Sequence, residues 1–328
     1  MTSDRLFELR RRTFDTPQFR GIEFIEVEAK SIINKVPGNY LPFNWTINPY
    51  RGCSHACSYC FARRTHTFLD MDAGRDFESK IVVKVNAGEL LRRELRAKRW
   101  TGESIAMGTN TDPYQRAEGR YKLMPQILDA MIDYRNPFSI LTKGTLIMRD
   151  LDLLVEAAEV TDVSTAFSIV TLDEEVWRKS EPGTPHPRKR VEAVAKLNEA
   201  GIPCAVLVAP ILPGISDHPD QLREVIAACI DAGATSVSPI LLHLRPGVRE
   251  VYMGWLQKAY PDLVERHERM YARSAYASNA DRKRLSDSFF SILDSLGGTR
   301  RKRPRPKRAA ERVRRERAAL ANEQLKLI

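Results

Sequence analysis

The sequence predicts an α/β protein built on a partial (β/α)6 barrel, and three observations carry that expectation. Short apolar runs rich in Val and Ile alternate with helical stretches along most of the chain. Those runs are continuously apolar rather than alternating, which is how parallel strands covered on both faces read. No GxGxxG opens the first unit, so the dinucleotide-binding α/β arrangement is disfavoured and a barrel, with its chemistry at the C-terminal strand ends, is the better geometry.

Taken in order, residues 22–27 (IEFIEV) read as a strand before the Pro37-Gly38 turn, and WTINPY, from Trp45, is the first barrel strand. Residues 87–98 (AGELLRRELRAK) have helical periodicity, and residues 104–108 (SIAMG) form a strand. Residues 123–134 are helical, 138–142 (FSILT) a strand, 151–160 helical and 165–170 (TAFSIV) a strand. A helix over 188–200 is closed by Gly201, a strand follows over 204–212, a helix over 219–232 is closed by Gly233, and the last strand spans 236–244. Residues 248–271 read as one or two further helices, and Gly297-Gly298 breaks the amphipathic stretch after them. The expected organisation is an N-terminal extension (1–40), the barrel (41–250), a C-terminal helical extension (251–296) and a basic, disordered tail (297–328).

The 328 residues carry a formal net charge of +10, unevenly placed. From Gly297 onward there are 12 Lys/Arg and 3 Glu, leaving 40 basic and 39 acidic residues in the preceding 296. The body is thus nearly neutral and the basicity lies in the tail, where residues 300–308 hold seven Lys/Arg. Such a run suits phosphate neutralisation, and equally a solvated extension. No apolar run approaches the roughly 20 residues of a membrane span, and MTSDRLFELRRRTF is not a secretory signal, so the expected location is the cytoplasm with no membrane partner.

Three of the five cysteines fall within RGCSHACSYCF, as Cys53, Cys57 and Cys60. Three readings compete. The thiols could line one helix face as small buried residues, although Gly52, Ser54, Ser58 and Asn48-Pro49 argue for a loop. They could bind zinc with His55 or His66, but Cys204 and Cys229 do not form the second knuckle that zinc sites of this type use. They could hold an iron–sulfur cluster, with three thiolates for four irons leaving one iron open to chemistry.

CSHACSYC resembles the CxxxCxxC motif of the radical S-adenosylmethionine (radical SAM) superfamily, including Tyr59 before the third cysteine. The longer run NPYRGCSHACSYCFARRTH, with GTNTDPYQRAE, SILTKGTLIMRDLDLL and VAPILPGISDH, looks like the bacterial branch related to spore photoproduct lyase. The resemblance implies a [4Fe-4S] cluster on Cys53, Cys57 and Cys60, S-adenosylmethionine (SAM) on the fourth iron, and reductive cleavage to a 5′-deoxyadenosyl radical that abstracts hydrogen from substrate. It also implies an external one-electron donor of the flavodoxin or ferredoxin kind. Atoms near Tyr59 and Phe61 then contact adenine. Where the superfamily commonly has Gly-Gly-Glu for the methionine amine, this chain has Gly108-Thr109-Asn110-Thr111-Asp112, a departure in which Thr109, Asn110 and Asp112 could supply similar oxygens. Lys143 could face the methionine carboxylate, Ser168 the ribose, and residues 208–211 the adenine. Glu181 and Arg190 are further rim candidates, with helix-surface charge the plainer account of Arg190, and His55 and His66 are read as supporting or exposed residues.

The resemblance suggests a nucleic-acid substrate, in the manner of lesion repair. The lyases carry a hydrogen-donating cysteine after the second strand, and MGTNTDPYQRAEGRY has none. Tyr114 or Tyr121 could donate instead, though nothing in the sequence requires it, and Cys204 and Cys229 read as buried structural thiols. A zinc-stabilised nucleic-acid-binding protein without catalysis is the competing reading.

Overall fold

A computed structural model describes residues 10–38 and 41–300; the tail expected over 297–328 lies outside the described residues beyond its first four positions. The strands are β1 (Arg10–Thr13), β2 (Glu23–Val27), β3 (Ile33–Lys35), β4 (Trp45–Ile47), β5 (Tyr50–Arg51), β6 (Lys80–Lys84), β7 (Ile105–Met107), β8 (Phe138–Thr142), β9 (Val163–Ser168), β10 (Cys204–Ile211) and β11 (Val237–Leu241).

Seven of them form one sheet in the order β11-β10-β9-β8-β7-β4-β3. From β4 to β11 every pairing is parallel, and this is the six-stranded partial barrel. The interior strands are apolar because both faces are covered: all three residues of β7 are buried, as are Phe138 and Ile140 of β8. Helices Ala87–Arg96, Leu123–Asp133, Leu151–Val160, Pro187–Glu199 and Pro219–Asp231 supply the crossovers and bury Leu90, Ile127, Leu154, Val194 and Ile226 against the sheet. Pro210 cannot donate to a ladder, and the β10–β11 register shifts between Val208 and Ile211 around it.

A second sheet, β1-β2-β6-β5, flanks the barrel. Local patterning indicated only β2 within it. The strand KIVVK over Lys80–Lys84 pairs in parallel with β2 and antiparallel with β5, so the segment before the cysteines is tied to the segment after them. β3 closes the barrel edge antiparallel to β4, and its approach is held by Glu94, whose carboxylate accepts from Ile32 N at 3.0 Å and Ile33 N at 2.8 Å. Three helices, Arg249–Ala259, Val264–Met270 and Asn279–Ser295, follow β11. Among the described residues no helix is long and apolar enough to cross a membrane.

Candidate active site

The cysteine loop leaves β5 at Gly52, whose φ of +81° suits glycine. A Cβ there would lie 2.9 Å from the His66 ring and from the carbonyls of Phe77 and Lys80. The loop is held from four sides. Gln115, fully buried, donates from Nε2 to Gly52 O (2.9 Å) and accepts from Ser54 N (2.9 Å). Arg63 donates from Nε to Cys57 O at 3.1 Å, and from its other nitrogens to Ala73 O, Gly74 O and Glu78. Ser58 N donates to Ser180 O, and Gly183 N donates to His55 O. His66, read as supporting or exposed, is completely buried, with Nε2 2.9 Å from Lys80 O.

Gly183 lies so close to the loop that a Cβ would sit 2.1 Å from Ser54 O. Gly183→Ala is therefore expected to destabilise the protein by ~1–3 kcal/mol through overpacking and to lower the iron retained per chain after reconstitution. Thermal melting and iron analysis check both.

Cys53 and Cys57 are buried and Cys60 is half-buried, all as free thiols lining one cavity at the C-terminal ends of β7 to β11. Burial pushes all three thiols up, Cys57 to about 12, so thiolates persist here only beside compensating positive charge. The hydroxyls of Ser54 and Ser58 are buried in the same loop without a protein partner. Three thiols, enclosed and accompanied by uncommitted donors, fit an iron–sulfur cluster.

The opposite walls are polar at chosen points. Gly108, Asn110, Asp112, Lys143, Ser168, Tyr59 and Phe61 line the cavity; Thr109 is not on its wall. Asp112 accepts from Thr142 Oγ1 and Lys143 N, each at 2.6 Å, and faces His55 Nδ1 at 3.3 Å. Burial pushes its carboxyl up, but His55 and these hydrogen bonds outweigh burial and hold it below its ordinary value. His55, read as a supporting or exposed residue, is thus a buried cavity residue paired with Asp112.

Lys143 is not solvated. Its Nζ lies 2.7 Å from Ser168 Oγ, 2.7 Å from Glu181 Oε1, and 5.6 Å from the Tyr59 ring centroid. Ser168 Oγ is also 2.7 Å from Ala209 O, beside the β10 irregularity. Glu181, 2% exposed, accepts from the Tyr59 hydroxyl and pairs with Arg190 Nη2 at 2.5 Å. Burial raises its carboxyl, but Arg190 and Lys143 outweigh that and hold it far below the ordinary range. Arg190 corrects the expectation of helix-surface charge: it is fully buried, and donates also to Pro185 O, Ser168 O and Thr184 Oγ1. Arg190 lies on the buried face of its helix beside Ala193, Val194 and Leu197, while Arg188 and Lys189 stay on the solvent face.

Tyr114 and Tyr121 are not brought to the cavity. Tyr121 packs on Phe24 of the flanking sheet and donates to Glu26 at 3.0 Å. Tyr114 is buried, with its carbonyl 2.2 Å from where a Gly144 Cβ would be. Of residues 208–211, Ala209 and Pro210 face the cavity, whereas Val208 and Ile211 are fully buried in the core. Cys204 and Cys229 are core thiols. Gln115 and Arg63 were missed by sequence reading: Gln115 clamps a loop 61 positions away, and Arg63, six positions past Cys57, carries no local sign that its guanidinium turns back onto the loop.

Residues 47–227 match the radical SAM superfamily. An uncharacterised protein of Mycobacterium tuberculosis is 46% identical over 302 residues, covering 91% of this chain and 89% of that protein. A radical SAM Nα-GlyT isomerase of Pseudomonas phage M6 is 28% identical over 184 residues, or 55% of this chain and 36% of that protein. Spore photoproduct lyase complexed with dinucleoside spore photoproduct has a similar fold, with a TM-score of 0.63 at 16% identity over 86% of this chain and 83% of the lyase. A lyase variant with bound AdoMet also aligns at a TM-score of 0.63, with 16% identity over 88% of this chain and 85% of the variant. With more than half its length matched to the superfamily and a barrel of the lyase type around three loop cysteines, this chain belongs to the radical SAM superfamily.

Proposed function

We propose that the protein binds a [4Fe-4S] cluster through Cys53, Cys57 and Cys60 and SAM in the adjoining cavity, and uses them on a nucleic-acid substrate. The observation that carries this reading is the clamped three-thiol loop opening onto the same cavity as Asp112, Lys143 and Ser168. When bound, the two groups supply one-electron cleavage of the sulfonium and the 5′-deoxyadenosyl radical that takes hydrogen from substrate.

The chain's own residues hold and shield. Asn110 and Asp112 offer oxygens to an ammonium group. Lys143, oriented by Glu181 and Ser168, offers a cation to a carboxylate. Leu141, Leu207, Pro210 and Leu242 supply apolar walls that keep out water and stray hydrogen donors. The electron comes from a flavodoxin- or ferredoxin-like donor. The dinucleoside bound by the lyase neighbour and the basic run after Arg300 support nucleic acid as the substrate class. Among the described residues no fourth cysteine lines the cavity, so cysteine-quenched lesion reversal is not the reaction proposed.

Against the zinc alternative, no three His, Cys, Asp or Glu side chains among the described residues converge at single-ion spacing.

Anaerobic reconstitution with iron and sulfide is expected to give brown protein with an EPR signal, after reduction, that changes on adding SAM. Deuterium from labelled oligonucleotide is then expected in 5′-deoxyadenosine. Colourless protein retaining one zinc per chain would overturn the assignment, and absence of transfer from every nucleic-acid probe would overturn the substrate class.

A further inference from the structure

Phe61, His243 and Tyr276 form a run of adjoining rings at the cavity rim, tilted at its inner step and stacked at its outer one. The Phe61 and His243 centroids are 6.1 Å apart at 34°, and those of His243 and Tyr276 are 5.6 Å apart at 23°. His243 and Tyr276 are joined by an antiparallel β-bridge, and Arg245 Nη2 donates to the Tyr276 hydroxyl at 2.8 Å, so the run is braced. Its inner end belongs to the site, since Phe61 and His243 line the cavity with the three cysteines. Its two ends reach solvent: Phe61 is 45% and Tyr276 42% exposed, with Arg282 bordering the Tyr276 ring. Large aromatics left exposed in series beside a cavity mark a binding surface rather than a core.

The charge beside the rings is positive and not ion-paired, although Arg282 also donates to Asn279 Oδ1. The Arg282 guanidinium lies 5.8 Å over the Tyr276 ring, with Arg245 at its hydroxyl. Among the described residues neither arginine forms an ion pair, whereas neighbouring Arg284 is neutralised by Asp281. Aromatic rings in series with guanidiniums that no carboxylate neutralises match the alternation of base and phosphate along a single strand. A peptide added as a strand has less to recognise, because Val237 N already donates to Thr299 O and Leu244 N to Ala275 O along that edge.

We propose that the Phe61–His243–Tyr276 run is a stacking shelf for unpaired nucleobases of a single-stranded nucleic acid, with Arg245 and Arg282 on the flanking phosphates. The shelf delivers a neighbouring nucleotide to the cavity, and in that respect it rests on the radical SAM reading above. A base drawn out of a duplex or presented in a loop fits it, while a stacked, paired base offers no free face.

The test uses the full reconstituted chain and two labelled probes of equal length, a mixed-sequence single strand and an abasic strand, with binding followed by fluorescence anisotropy over a salt series. Wild type is expected to prefer the base-bearing strand by about tenfold. Tyr276→Ala and His243→Ala should erase most of that preference, and Tyr276→Phe, which keeps the ring, should retain it and so separate stacking from misfolding. Arg282→Ala should weaken both strands alike and reduce the salt slope by about one. Phosphate binding by the basic tail is common to both probes and cancels in the ratio. A wild type that binds both strands equally, a preference unchanged in Tyr276→Ala, or capture of a glutamate-rich peptide in place of either strand would overturn the shelf. SAM cleavage by wild type without oligonucleotide, measured in parallel, reads the radical SAM assignment separately, because its failure leaves the binding ratios standing.

Discussion

Replacing Cys57 by alanine is expected to abolish the reduced-cluster EPR signal and reductive SAM cleavage while leaving the barrel folded. Only one sulfur is lost from a small buried side chain, so the cost in stability is about 1 kcal/mol. On the proposed assignment the effect on chemistry is far larger, because two thiolates would not replace three in holding a cluster. Circular dichroism and thermal melting check the fold; iron analysis, EPR and 5′-deoxyadenosine formation check the chemistry. Cleavage at the wild-type rate in this variant would refute the cluster assignment.

The second large effect is expected at Arg190. Its guanidinium sits at 0% exposure against the equally enclosed Glu181 carboxylate, which also receives Lys143 and Tyr59. Arg190→Met removes the nearest compensating charge and leaves a buried carboxylate with one cation, at a cost of about 3–5 kcal/mol. At roughly 2–4 °C per kcal/mol for a domain of this order of size, the midpoint should fall by about 10 °C. Adding Glu181→Gln should restore part of the loss, since the uncompensated charge is then gone. An unaltered midpoint in Arg190→Met would show that the network is not stabilising.

The same network sets an acid dependence. Glu181 titrates lower in the folded protein than its ordinary value of 4.5, so its stabilising contribution is full above that pH and is lost as pH falls below it. Urea unfolding at pH 7 and pH 4 should therefore show a smaller gap between wild type and Glu181→Gln at pH 4. An equal gap would contradict the depressed titration.

Much of the fold was legible because its signals are local. Each barrel strand is a short apolar run, and each crossover helix carries its own periodicity, with a glycine stop at Gly201 and Gly233. The three thiols were legible for the same reason, lying within eight residues. The flanking sheet was less so: β5 is two residues long and β1 is fully exposed, so neither leaves a hydrophobic pattern. KIVVK does carry a β-branched signal that could have revealed β6, but its partner lies more than fifty residues earlier in the chain.

The sequence by itself determined which chemistry is possible here, because ligand identity and spacing are properties of one continuous stretch. Only the tertiary structure decided how polar groups are spent around it. Lys143, Glu181 and Arg190 could be named one by one as rim candidates, yet no window shows that they meet in one buried network. Asp112 meets His55, and Gln115 meets Gly52, across more than fifty positions. Burial and pairing depend on what the folded chain brings to a point. They decide whether a charge is free to bind a ligand or is held by a neighbour, and no local pattern records that.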